Sequence, residues 1–117
     1  MAREVRIELD SGETVCERCL VADNPWLRLR GLMFRSSLPA GHGILIRPCS
    51  SVHTSFMRFP IDVVFCDREL QVLGIAANVA PWRVRGQRGA KIVVELPAGE
   101  AERLGVRAGA TLRTVET

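Results

Sequence analysis

Two pairs of short apolar runs, each joined by only a few polar residues, constrain this chain more than any other feature. Val5, Ile7 and Leu9 alternate with Arg6 and Glu8, the period of two that sets one strand face on a core and the other in water. Ser11-Gly12 reads as a turn into a second strand over residues 14–21. Apolar runs at residues 61–66 and 70–75, joined by Asp67-Arg68-Glu69, predict a second hairpin, with Gly74 marking a bulge. Further strands are expected over residues 43–47, ended by Pro48, over 91–96, with Ile92, Val94 and Leu96 on one face, and over 111–115.

Only two helices fit between them. Asp23-Asn24-Pro25 offers an N-cap and a proline at the first helical position, and residues 26–34 then supply about two and a half turns, with Trp26, Leu29 and Met33 on one side. Gly31 interrupts good helix formers and is expected to admit a close neighbour. Pro97 opens a second short helix through Leu104, with Gly105 at its end. Hairpins outnumber strand-helix-strand units, so the expected fold is α+β and mainly antiparallel, a small curled sheet or barrel of six to seven strands with two short helices.

The 117 residues suit one domain, and 47% hydrophobic with 25% charged residues excludes disordered and disulfide-scaffold classes. Apolar stretches fall short of a membrane span, and charge begins at Arg3. The chain is therefore expected to be a single domain over residues 1–117 without leader or separate linker, in the cytoplasm and with no membrane partner. Fifteen of its sixteen basic residues are arginine, Lys91 being the exception, which reads as codon bias and solvated charge. Arg28, Arg30 and Arg35, with Arg83, Arg85 and Arg88, offer a phosphate-binding surface only if they converge. Tyrosine is absent and rings are few, so nucleic acid is disfavoured as a partner.

Chemistry-bearing residues concentrate in residues 49–60, the longest stretch without periodicity. Cys49 and His53 lie four apart there; a thiolate needs a neighbouring base, which His53 would supply if the loop folds the two together, with Asp62 as orienter. The bland alternative is a histidine satisfied by backbone or by Asp62, and a metal site from Cys49, His53 and Asp62 lacks any spacing signature. Cys16-Glu17-Arg18-Cys19 has the spacing of a zinc knuckle or redox pair, but a strand would put the two thiols on opposite faces, and a second such pair is lacking. Neither a metal nor a cofactor is expected. Arg58 and Asp62 are expected either to border a binding groove or to pair across the turn at Pro60. Met33 and Met57 read as core filler.

Several blocks in order carry a resemblance. Arg30-Gly31-Leu32-Met33-Phe34-Arg35, then Leu38-Pro39, Gly43-Ile44-Leu45-Ile46, Pro60-Ile61-Asp62-Val63-Val64-Phe65, and finally Val94-Glu95-Leu96-Pro97-Ala98-Gly99 with Gly105-Val106-Arg107-Ala108-Gly109 resemble the domain of unknown function 192 family, also called UPF0127. Many members carry Phe-Trp-Met-Lys-Asn-Thr where this chain reads Val52-His53-Thr54-Ser55-Phe56-Met57, which looks like a His-Thr sub-branch. The resemblance implies a compact, mostly β domain and carries no activity across.

The functional expectation is a noncatalytic ligand- or partner-binding accessory domain, whose groove is bordered by His53, Thr54, Arg58 and Asp62 with Arg30 and Trp82. The alternative is a Cys49/His53-dependent hydrolase or acyl-transfer enzyme with Asp62; a nucleic-acid-binding barrel comes third. The partner expected is a small molecule or a protein, and the sequence leaves the oligomeric state open.

Overall fold

The computed structural model describes residues 3–33 and 35–116. Seven strands form one sheet: β1 (Arg3–Leu9), β2 (Thr14–Ala22), β3 (His42–Ile46), β5 (Ile61–Cys66), β6 (Val72–Val79), β8 (Ile92–Pro97) and β9 (Leu112–Glu116). Their spatial order is β6-β5-β8-β3-β2-β1-β9. Every pairing is antiparallel except that of β2 with β3, between which α1 (Pro25–Arg30) crosses. The sheet curls into a half-barrel whose two edge strands touch at one end, where the Val72 N–H donates to Ala110 O at 2.8 Å and the Leu112 N–H to Leu70 O at 2.9 Å. The α+β, mainly antiparallel, curled architecture expected from the hairpins is the one the chain adopts.

Two strands were not legible. β4 (Ser51–His53) and β7 (Val84–Gly86) make a separate two-stranded ribbon in which His53 faces Val84 and Ser51 faces Gly86. Residues 49–60, expected to be irregular, and the connection from β6 to β8 thus hold each other. Each strand is three residues long and largely exposed, so neither leaves an alternating pattern to read.

Local backbone geometry refines three sequence expectations. On β6 the partners step from Phe65↔Gly74 to Cys66↔Val72, an extra residue beside the glycine singled out for a bulge. On β2 the partners step from Val5↔Cys19 to Ile7↔Cys16. That extra residue reverses the alternation, so Cys16 and Cys19 both enter one core instead of lying on opposite faces. Gly31 has nothing within 4 Å of an added Cβ; its φ of +48° as the chain leaves α1, rather than a close neighbour, is what calls for glycine.

Two cores result. One holds residues from all seven strands, among them Val5, Val21, Leu45, Val64, Val72, Val94 and Leu112, and so lies inside the curl. The other covers the opposite face of β3, β5 and β8, with Ile44, Ile46, Val63, Phe65 and Val93 packed under Leu32 and Met57. Central strands covered on both faces read as continuous apolar runs, as β5 does from Val63 to Cys66. The helix α1 is shorter than expected and buries none of its own residues: Trp26 and Leu29 are exposed, and Leu32, beyond its end, is the buried anchor. Phe34, the last residue of the expected helix, lies outside the described residues. Asn24 caps α1 by accepting from the Leu27 N–H at 2.8 Å.

Candidate functional site

Between α1, the start of the ribbon and the outer face of β3 and β8 lies a cleft of about 340 Å³, lined by Arg28, Leu29, Arg30, Met33, Ile46, Cys49, Val52, His53, Met57 and Glu95 among others. The cis Arg47–Pro48 bond follows β3, and the Cys49 N–H then donates to Lys91 O at 2.9 Å, which carries Cys49 and β4 across the outer face of the sheet. Pairing of His53 with Val84 fixes the backbone that presents the imidazole. Apolar walls with a few polar groups are what a small-molecule site requires.

Glu95 is the unusual group. Strand alternation puts Ile92, Val94 and Leu96 inside the curl, so Val93 and Glu95 project to the second core. The Glu95 residue is 3% exposed, it lines the cleft, and among the described residues no donor or cation pairs with its carboxyl. Burial alone pushes its pKa from the ordinary 4.5 to about 7, because a low-dielectric setting disfavours the charged form. A perturbed carboxyl in a cleft marks a functional candidate. The sequence reading passed over it, although a lone glutamate within an apolar run of a strand covered on both faces was a usable signal.

The structure brings only some expected residues together. Cys49, His53 and Arg30 line the cleft; Thr54, Arg58, Asp62 and Trp82 do not. Asp62, 1% exposed, is committed to backbone: Oδ1 accepts from the Asn78 N–H at 2.9 Å, and Oδ2 from the Gly99 and Ala101 N–H groups at 3.0 Å each. Those amides are the bulged residue of β6 and the start of α2 (Glu100–Arg103). Asp62 therefore orients neither His53 nor Arg58, whose expected pairing is replaced by these bonds. Thr54, also 1% exposed, donates from Oγ1 to Ala80 O and accepts from the Arg83 N–H, each at 2.8 Å, tying the loop before β7 to the ribbon. Trp82 is exposed, at φ 65°, with its ring edge-on to Phe56, 4.8 Å between centroids.

The thiols are poorly placed for nucleophilic attack. Burial pushes the Cys49 thiol up, and its Sγ donates to Ser51 O at 3.1 Å. Cys66 is pushed up to about 12 by burial. A hydrogen bond from Cys19 lowers Cys16, while the same contact and burial hold Cys19 well above its usual range; both are buried. Among the described residues no three His, Cys, Asp or Glu side chains converge as a metal-binding group.

The model of the family DUF192, described as "Uncharacterized ACR", matches residues 6–114. The chain belongs to the DUF192 family. Among curated relatives of this DUF192 chain, a UPF0127 protein of Pyrococcus furiosus is 36% identical over 113 residues, covering 92% of this chain and 86% of its own. Another, from Thermococcus sibiricus, is 30% identical over 108 residues, covering 88% and 70%. Two crystal structures share the DUF192 fold seen here. One, a protein of Sinorhizobium meliloti described as a candidate transcription regulator, has a TM-score of 0.84 at 27% identity and covers 97% of this chain and 94% of its own. The other, a protein of unknown function from Novosphingobium aromaticivorans, has a TM-score of 0.82 at 26% identity, covering 96% and 84%.

Proposed function

We infer that this protein is a noncatalytic small-molecule-binding accessory domain whose ligand occupies the cleft between α1 and the ribbon. The carrying observation is Glu95: a buried carboxyl with no partner among the described residues costs stability where it stands, and a cleft that delivers a partner to it gives that cost a use. Arg28, Arg30 and His53 would contact the ligand from the mouth, and Ile46, Met33 and Met57 from the walls.

The Cys49/His53 enzyme is less well supported. Its thiol is shifted away from the thiolate, and the expected orienter Asp62 is occupied by backbone amides. Nucleic acid is also less favoured, since Arg83 and Arg85 turn their guanidinium groups onto carbonyls one or two residues before them in the chain. The four free cysteines fit a reducing compartment, so we place the protein in the cytoplasm; none of its helices is long and apolar enough to cross a membrane, among the described residues.

The test is a chemically mixed fragment library followed by amide NMR shifts. Binding that shifts Ile46, Val52, His53 and Glu95 together is expected; shifts confined to other surfaces would overturn this reading.

A further inference from the structure

The charges around the cleft are arranged with one sign inside and the other outside. Glu95 stands at its buried end, without a partner for its carboxyl among the described residues. Arg28 and Arg30 stand at its mouth on α1, both exposed and neither paired with Glu95. The surfaces between are apolar: Leu32, Met33, Ile46, Val52 and Met57. From the other elements lining the cleft with Glu95, the segment before β4 contributes Cys49 and β4 itself contributes His53, while the strand partners of Glu95, Ile44 on β3 and Val63 on β5, bring no charge. An anion at the buried end would meet Glu95, and a simple cation would meet two arginines on the way in. A ligand with a cation at one end and an anion at the other matches both.

Resting on the reading that this cleft is a ligand site, we propose that it takes a small zwitterion, with a primary ammonium seated on Glu95, an apolar stem along Met33, Ile46 and Met57, and a carboxylate or phosphate held by Arg28 and Arg30. Binding deprotonates the buried carboxyl: the ammonium keeps its proton, the Glu95 proton leaves to buffer, and the resulting ion pair is a charge-assisted hydrogen bond at the buried end of the cleft. The volume of about 340 Å³ accommodates a molecule of this class.

The experiment titrates the intact protein with 6-aminohexanoate, pentylammonium and hexanoate, following cleft amides by NMR and proton release by calorimetry in two buffers. We expect 6-aminohexanoate to bind most tightly, with proton release. Its affinity should rise about tenfold from pH 6 to pH 8, as Glu95, with a pKa near 7, passes from mostly protonated to mostly ionised. Glu95→Gln should abolish both the binding and its pH dependence. Arg28→Ala with Arg30→Ala should bring 6-aminohexanoate down to the level of pentylammonium. His53→Gln should leave the pH dependence in place; its loss there would assign the titration to His53 and overturn the proposal. Tighter binding of hexanoate, or equal binding at pH 6 and pH 8, would overturn it as well. Failure of all three probes while neutral fragments still shift the cleft amides would reject the zwitterion and leave the site standing, whereas a cleft silent to every fragment would reject the site itself.

Discussion

Asp62 caps α2 from the strand next to β8: its Oδ2 accepts the Ala101 N–H at 3.0 Å, 39 positions further along the chain. The same oxygen takes the Gly99 N–H, and Oδ1 takes the Asn78 N–H where β6 bulges. One carboxylate thus satisfies three backbone donors from two segments that local structure leaves unpaired, a strong arrangement because an ionised acceptor roughly doubles the strength of each bond.

Replacing Asp62 with asparagine keeps one acceptor oxygen and turns an amide donor toward a backbone donor. The expected loss is about 2–3 kcal/mol of folding stability, read from urea unfolding. Small-molecule binding at the cleft should survive under conditions where the variant is folded, since Asp62 does not line it. Unchanged stability would show that these bonds contribute little.

A second prediction concerns Gly43 on β3. An added Cβ there would lie 2.7 Å from Glu95 O, 3.0 Å from Cys16 Sγ and 3.2 Å from Leu96 Cδ2. The nearest obstacle is backbone of the neighbouring strand β8, which cannot swing aside as a side chain tip can. Gly43→Ala should cost about 1–3 kcal/mol through strand displacement. It should also perturb cleft amides around Glu95, visible in the same NMR spectra even where the fold survives.

These two residues mark where the sequence was readable. The hairpins β1–β2 and β5–β6 were legible because alternation and turn chemistry act locally, within about a dozen residues. Asp62 was noticed but given the wrong task, because its amide partners arrive from 16, 37 and 39 positions away and no spacing rule links them. His53, Cys49 and Arg30 do reach one cleft, for a reason the sequence hid: the ribbon that carries His53 pairs three residues with three exposed ones. Glu95 was missed on the opposite ground. Reading one face of β8 as core leaves the other for water, and only the covering of that face by Leu32, Met57 and the segment from Cys49 into the ribbon makes the glutamate buried.

The thiols offer a third prediction. Cys49 is the one cysteine of the four that is not buried, and burial still pushes its pKa up. Iodoacetamide at pH 8 should therefore label a single thiol in the folded protein, more slowly than free cysteine, because the thiolate is the reacting form. Peptide mass mapping identifies the site. Labelling faster than free cysteine would mean a stabilised thiolate and would revive the Cys49/His53 enzyme.

Glu95→Gln carries the last prediction, and its sign is unusual. In the folded protein the carboxyl titrates near 7 instead of 4.5, so between these values the folded state holds a proton that the unfolded chain has released. Stability therefore falls as pH rises through that window, and the loss is complete above about pH 7, with an upper size of about 3 kcal/mol. Glutamine has nearly the same shape and never ionises. The variant should match the parent near pH 4 and exceed it at pH 8 by about 1–3 kcal/mol, measured by urea unfolding at both values. That loss is a substantial share of the 5–15 kcal/mol typical of a folded domain. A substitution that stabilises the fold while removing ligand binding would mark Glu95 as a residue held for function; equal stability of the two proteins at pH 8 would mean that the carboxyl is solvated and unstrained.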